Sequence, residues 1–317
     1  MSTSVYLPSQ TADDSETAAA APLLAFADGT HAEPLPMALD ALAPVKAETW
    51  HAPGPVERSI VDGVAVAESS DYLCLTVAQP TASCEIRADT RSIYQRLLRL
   101  TLERGYPTLV RFWNYVPDIN AGEGDAEQYK QFCWGRAEAF DEYDLPLPAA
   151  TGIGSHDGTL RVVLLAARDG MPLEHFENPR QVAAYRYPRQ YGPRSPSFAR
   201  ATWLGNHNSG LLLVSGTASI VNHENRHIGD AIAQIEETAR NIRALISAAE
   251  AARPATGPLK PSALRLYLRE PQLLPAVLEA WHRSVDDRPP ALVLRGDICR
   301  QALALEVEGV FAPAAVR

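Results

Sequence analysis

The chain has 317 residues, 46% of them hydrophobic and 21% charged, and a formal net charge of −9. That length accommodates two ordinary domains or one large one with a well-buried interior. No apolar run approaches the roughly 18 residues that a membrane-crossing helix needs, and the acidic balance argues against a nucleic-acid binder, which displays a basic face to phosphates.

The opening stretch, MSTSVYLPSQTADDSETAAAAP, has neither the basic start nor the apolar core of a secretory leader, so a cytoplasmic protein is expected. Residues 1–56 are rich in Ala, Pro and Asp with little periodicity, and read as an irregular arm. Beyond it, GVAVAES and YLCLTVAQP have strand character, SIYQRLLRLTLERG has the apolar spacing of a helix ending at Gly105, and TLVRFWNYV returns to strand. EQYKQFCWGRAEAF predicts a second helix, followed by the Pro-rich turn DLPLPAA and the apolar β run TLRVVLLAAR.

The second half repeats that order. ATWLG and LLLVSGTASIV predict strands, and IGDAIAQIEETARNIRALISAAE predicts a long amphipathic helix with Ile228, Ile232, Ile235, Ala239, Ile242 and Ile246 on its apolar face. ALRLYLRE then reads as strand, QLLPAVLEAWHRSV as helix, and ALVLRGDIC with LALEVEGVF as a closing pair of strands. Two successive ββαβαβ units imply an α+β protein of two domains, 57–172 and 173–317, each a mixed sheet with helices packed on one face. The repetition is one of architecture, without sequence self-similarity.

Three clusters could carry chemistry. His223-Glu224-Asn225-Arg226-His227 matches the HExxH pattern of zinc proteases. Here, however, the motif follows directly on a strand, with Asn222 or Asn225 as the expected helix N-cap, and no third ligand follows at a recognised spacing. A structural role at the strand-to-helix turn is therefore weighed above metal ligation. Residues 183–200, AAYRYPRQYGPRSPSFAR, form the second cluster. Pro188, Gly192, Pro193 and Pro196 forbid a long helix, leaving a stiff loop that presents Tyr and Arg side chains. Such a loop suits a carboxylate ligand, and an ordinary solvated loop is the alternative. In CRQALALEVEGV, Glu306 and Glu308 alternate with Leu305 and Val307, so both carboxylates share one face of a strand. A carboxyl on a central strand among apolar neighbours has a raised pKa and can deliver a proton; on an exposed edge strand the pair would be an ordinary solvated one. Cys74, Cys84, Cys133 and Cys299 are far apart with no CxxC pair, which points to reduced thiols. Cys299 is open between a core thiol and a pocket wall.

Taken together, RFWNYVPDIN at 111–120, YRYPRQYGPRSPSFARA at 185–201, SGTASIVNHENRHIGD at 215–230 and CRQALALEVEGV at 299–310 resemble the chorismatase family over roughly residues 57–317. The resemblance implies two YjgF-like (RidA-like, chorismate mutase-like) units and a cofactor-free, metal-free lyase of secondary metabolism. Its substrate would be the small dicarboxylate chorismate, with neither nucleic acid nor membrane as partner. It implies Glu306 as the acid that protonates the enolpyruvyl methylene, and Tyr187, Tyr191, Arg194 and Arg200 as groups recognising carboxylate and hydroxyl. Gly216 and Cys299 resemble the pair found in 3-hydroxybenzoate formers, whereas dihydrodiol formers carry alanine-like residues there. Release of pyruvate and 3-hydroxybenzoate is accordingly preferred. A dihydrodiol-forming hydrolase, a relative releasing 4-hydroxybenzoate and a non-catalytic metabolite binder are the alternatives. A single chain with two such units can supply both walls of a site, so a monomer is expected, with a trimer as the other possibility.

Overall fold

The computed structural model describes residues 2–9, 21–27, 35–36, 39–206, 210–285, 287, 289 and 291–314. Two sheets face each other, and each carries two helices on its outer side. The first sheet orders its strands Asp297–Ile298, Ala149–Ser155, Thr108–Pro117, Thr159–Ala167, Tyr72–Pro80, Val64–Glu68 and Glu57–Val61. The second orders Leu173–Phe176, Ala201–Leu204, Leu211–Thr217, Leu305–Pro313, Leu259–Leu268 and Ala291–Arg295. Helices α1 (Ile86–Glu103) and α2 (Gln128–Phe140) belong to the first half, α3 (Ala231–Ala252) and α4 (Leu274–Ser284) to the second.

Each sheet contains one parallel pair among antiparallel neighbours, 108–117 with 149–155 and 259–268 with 291–295. A helix bridges each parallel pair, as crossover geometry requires. The protein is thus α+β with the same element order twice. The two-residue strand Asp297–Ile298 belongs to the second half of the chain, yet it pairs with 149–155 and extends the first sheet.

Alternation along the strands separates the layers. On 159–167, Val162, Leu164 and Ala166 pack with Ile93, Leu97 and Phe132 of the helices, while Val163 and Leu165 face the space between the sheets. On 305–313, Leu305 and Val307 lie with Ile235, Ala239 and Trp281 on the helix side. The intervening Glu306 and Glu308 therefore face the opposite sheet.

Two expectations need correcting. The arm at 1–56 is not irregular where it is described: Ser2–Tyr6, Ala21–Ala27, Leu35–Pro36 and Ala47–Ala52 form a four-stranded sheet in the order 2–6, 47–52, 21–27, 35–36. Its strands are short and rich in Ala, Pro and polar residues, so their propensity is weak. Tertiary burial of Val5, Leu23, Phe26 and Trp50 against the central core stabilises them instead. Trp50 meets Trp113 edge-on at 5.2 Å between centroids, and removing such a buried ring costs about 3–5 kcal/mol. Second, α3 starts later than its apolar pattern indicated. Asp230, rather than Asn222 or Asn225, is the N-cap, its Oδ1 accepting from the backbone N–H of Ile232 and Ala233 at 3.0 Å each. Ile228 lies outside the helix and is exposed, and Ile235, Ala239, Ile242 and Leu245 form the buried stripe. Among the described residues no helix is long and apolar enough to cross a membrane.

Candidate active site

A cavity of about 290 Å³ opens between the sheets, near the small end of ligand pockets. One wall comes from α2 and strand 149–155. The other comes from the loop at 181–200, residues 216–225, the turn at 299–302 and Glu306.

Glu306 sits on the central strand of the second sheet, 5% exposed, and no described residue hydrogen-bonds its carboxyl. Burial, and then the negative charge of Glu308, push its pKa up to about 8 against the pull of Arg200 and Arg111. It is therefore a protonated acid at neutral pH. Glu308, two residues on and equally buried, behaves in the opposite way. Burial would raise it, but Arg111 and Arg265 hold it below the usual carboxylate range. Its Oε2 accepts from Arg111 Nη2 at 2.5 Å and from the Thr151 hydroxyl, and its Oε1 accepts from Tyr267 at 2.9 Å. One strand thus presents a carboxyl held on the ionised side beside one held on the neutral side, the division of labour that acid–base chemistry needs.

Gly216 explains how the Glu306 carboxyl fits. A methyl group at residue 216 would overlap Glu306 Oε1, lie 2.8 Å from its Cδ and come within 3.2 Å of Thr151 Cγ2. Cys299 lines the same cavity, and burial, followed by the Glu306 charge, pushes its thiol up to about 12. It is a neutral wall residue rather than a thiolate nucleophile.

The Tyr/Arg loop divides. Tyr187, Tyr191 and Arg200 line the cavity. Arg200 Nη2 donates to the Tyr187 hydroxyl at 2.8 Å and to Val182 O at 3.0 Å, while its buried Nε has no partner. Tyr191 packs on Tyr187 at 5.4 Å, and its hydroxyl lies 3.2 Å from His223 Nδ1. Arg194, expected to bind a carboxylate, is placed elsewhere. It forms a two-pronged pair with Asp141 at 2.8 Å for each oxygen, on the protein surface outside the cavity. The loop turns at Gly192, whose φ of +138° few other residues adopt, and the next arginine is carried out toward α2.

Three cavity groups escaped the sequence reading. Arg136 on α2 is 3% exposed, its Nε and Nη2 have no partner, and its guanidinium lies 5.3 Å from each of the Tyr94, Phe112 and Phe140 rings. Its signal was available, since Phe132, Arg136 and Phe140 recur every four residues on the apolar stripe of the helix, where an arginine is out of place. Arg300 lies 4.0 Å over the Tyr191 ring and donates to His223 O and Asn225 Oδ1 at 2.8 Å each. Gln181 donates to Ile220 O at 3.0 Å and leaves its own buried Oε1 unpaired. Unpartnered buried nitrogens on two arginines around one cavity are expensive unless a ligand satisfies them. The chemistry they fit is an anion with more than one acceptor group.

The HENRH motif is not on a helix. Glu224–Asn225 pairs with Ile220–Val221 in a hairpin, His223 faces Tyr191, and His227 Nε2 lies 3.4 Å from Glu237. Among the described residues no group of His, Cys, Asp and Glu could hold a metal ion.

Residues 48–166 match the family model described as Chorismatase FkbO/Hyg5-like, N-terminal. A chorismatase of Streptomyces rapamycinicus is 41% identical over 276 residues, covering 84% of this chain and 82% of that protein. The chain belongs to the chorismatase family. A 3-hydroxybenzoate synthase of Streptomyces hygroscopicus is 38% identical over 277 residues, 83% of this chain and 81% of its own length. The crystal structure of a chorismatase superposes with a TM-score of 0.78 at 32% identity, covering 95% of this chain and 96% of that one. This chorismatase-family member therefore shares both the fold and most of its length with those relatives.

Proposed function

We propose that this protein converts chorismate to 3-hydroxybenzoate and pyruvate. The observation that carries the reading is a neutral carboxyl, Glu306, at the floor of a cavity lined by buried arginines with open donors. Relatives named chorismatase and 3-hydroxybenzoate synthase support the same substrate and product.

Chorismate carries one carboxylate on its ring and one on an enolpyruvyl ether. Arg136, Arg200 and Arg300, with the tyrosine hydroxyls, bind these two groups, and burial makes each charged hydrogen bond stronger than it would be in water. Glu306 gives its proton to the terminal methylene of the enol ether, so positive charge develops at the ether carbon. The bond between ring C3 and the ether oxygen then breaks, leaving pyruvate with its new carbonyl. The neighbouring ring C4 hydroxyl closes on C3 and loses its proton, which restores Glu306 directly or through solvent. The resulting arene oxide opens and becomes aromatic as 3-hydroxybenzoate, and the atoms of the two products sum to those of chorismate without added water. As the proton leaves, Arg200 and Arg111, fixed in place before reaction, stabilise the carboxylate that forms on Glu306 with little reorganisation. Neutral Cys299 and the side-chain-free Gly216 shape the wall beside the acid, and water entering there would give the dihydrodiol instead.

Incubation of purified protein with chorismate, with pyruvate measured enzymatically and the aromatic product identified by mass and NMR, tests the proposal. Pyruvate and 3-hydroxybenzoate in equal amounts are expected; unconsumed chorismate would overturn it, and a dihydrodiol would overturn the internal route. The two sheets that wall the cavity both belong to this chain, the basis on which a monomer is proposed, and sedimentation at working concentration checks this.

A further inference from the structure

A buried run of alternating charge begins in the N-terminal sheet and ends beside the acid. Glu48, on strand 47–52 and 2% exposed, accepts from Arg265 Nε at 3.0 Å, from Arg265 Nη2 at 2.5 Å and from Trp50 Nε1 at 2.6 Å. The remaining Arg265 nitrogen, Nη1, lies 3.0 Å from Glu308 Oε1, and the other Glu308 oxygen accepts from Arg111 at 2.5 Å. Glu48, Arg265, Glu308 and Arg111 are all 2–3% exposed, alternate in sign and sum to zero. Buried ions of this kind persist only as a balanced set, and removing one leaves its neighbour uncompensated. The ring of Phe26, also from the N-terminal sheet, covers Arg265 at 3.6 Å and keeps water out.

We propose that Glu48 is a positioning residue for the chorismate reaction: by balancing Arg265 it fixes the charge that the buried run presents to Glu306. The inference rests on the reading of Glu306 as the acid. Glu308 lies two residues along the same strand, and Glu48 is the member of the run that the N-terminal sheet supplies. The other groups facing Glu306 belong to other elements. Tyr267 is its cross-strand partner on 259–268, and Arg111 reaches in from 108–117. Arg200 approaches from the loop, Tyr129, Cys133 and Arg136 from α2, and Cys299 and Arg300 from the turn at 299–302. Among the described residues the side-chain hydrogen-bond partners of Glu48 are Arg265 and Trp50, so the contacts that lead from Glu48 toward the acid run through Arg265 and Glu308.

The test is the pH profile of kcat for pyruvate release. Activity that requires protonated Glu306 falls on the basic side, and that limb is the readout. E48Q removes a negative charge, leaves Arg265 to act on Glu308, and moves the limb down by up to roughly one pH unit, the size of one charge acting across a low-dielectric interior. R265Q removes the opposite charge and moves it up. E48D retains the charge and keeps the wild-type limb. Opposite displacements in E48Q and R265Q support the proposal, and if one of them does not fold, the direction seen in the other decides. A limb that stays at the wild-type pH, or a fall in kcat with no displacement, overturns it and leaves Glu48 a structural residue. Wild-type protein that fails to consume chorismate would instead remove the reading of the acid itself, a separate failure.

Discussion

Replacing Glu306 with glutamine tests the acid through stability as well as turnover. With its folded pKa raised to about 8, the carboxyl keeps its proton in the folded chain while the unfolded chain loses it near the ordinary Glu value of about 4.3. Between those two values the folded state binds more protons, so the contribution of Glu306 to stability is fully present below the unfolded pKa and is lost as pH rises toward the folded one. The loss is about 1.4 kcal/mol per pH unit, or about 2–3 kcal/mol between pH 5 and pH 7. The amide of the E306Q variant copies the protonated shape and does not titrate, so it escapes the loss. Melting curves of both proteins across pH 5–9 should therefore diverge, with E306Q gaining about 3–5 °C on the wild type between pH 5 and pH 7 for a chain of this length and the gap levelling off above about pH 8. Turnover of chorismate by the same variant should fall by about 10²–10⁴. Parallel melting curves would mean that Glu306 is already ionised at neutral pH, and the acid assignment would fail with them.

The remaining predictions concern the cavity and its margin. Arg136→Gln removes a buried guanidinium with unpartnered donors and should raise KM by roughly 10–100-fold with a smaller effect on kcat; steady-state kinetics separate the two, and an unchanged KM would take Arg136 out of substrate binding. Gly216→Ala forces the Glu306 carboxyl aside and should lower kcat at least about tenfold while leaving the far-ultraviolet CD spectrum intact. Arg194→Ala breaks only the surface pair with Asp141 and should leave kcat/KM within about twofold, since exposed pairs are worth about 1 kcal/mol or less.

Much of the frame was legible because its strands and helices are strongly periodic. YLCLTVAQP is a strand over its whole predicted length, and LALEVEGV marks Glu306 and Glu308 by simple alternation. Alternation could say that the two glutamates share a face, but not that they differ in charge. That difference depends on Arg111 and Arg265, which lie about 40 residues or more away in sequence. The N-terminal sheet was hidden because its stability comes from the core it covers rather than from its own residues. Arg194 was misplaced for a similar reason. Composition put it beside Arg200, while the backbone turn at Gly192 and the carboxylate of Asp141 sent it outward. The HENRH motif follows a strand in the sequence, and in the fold its Glu224–Asn225 pairs with Ile220–Val221 in a hairpin instead of lying on a helix.

The repeated architecture is unequal in one respect. In the first sheet the central closing strand, 159–167, turns Val163 and Leu165 toward the opposite sheet, where its counterpart 305–313 turns Glu306 and Glu308. One half of the pseudo-duplicate thus carries the carboxyls on its closing strand, while the other carries aliphatics there and contributes Arg111 and Arg136 from neighbouring elements. With Glu306 as the acid, one turnover centre per polypeptide is expected despite two similar frames, and a tight transition-state mimic should saturate at a single equivalent.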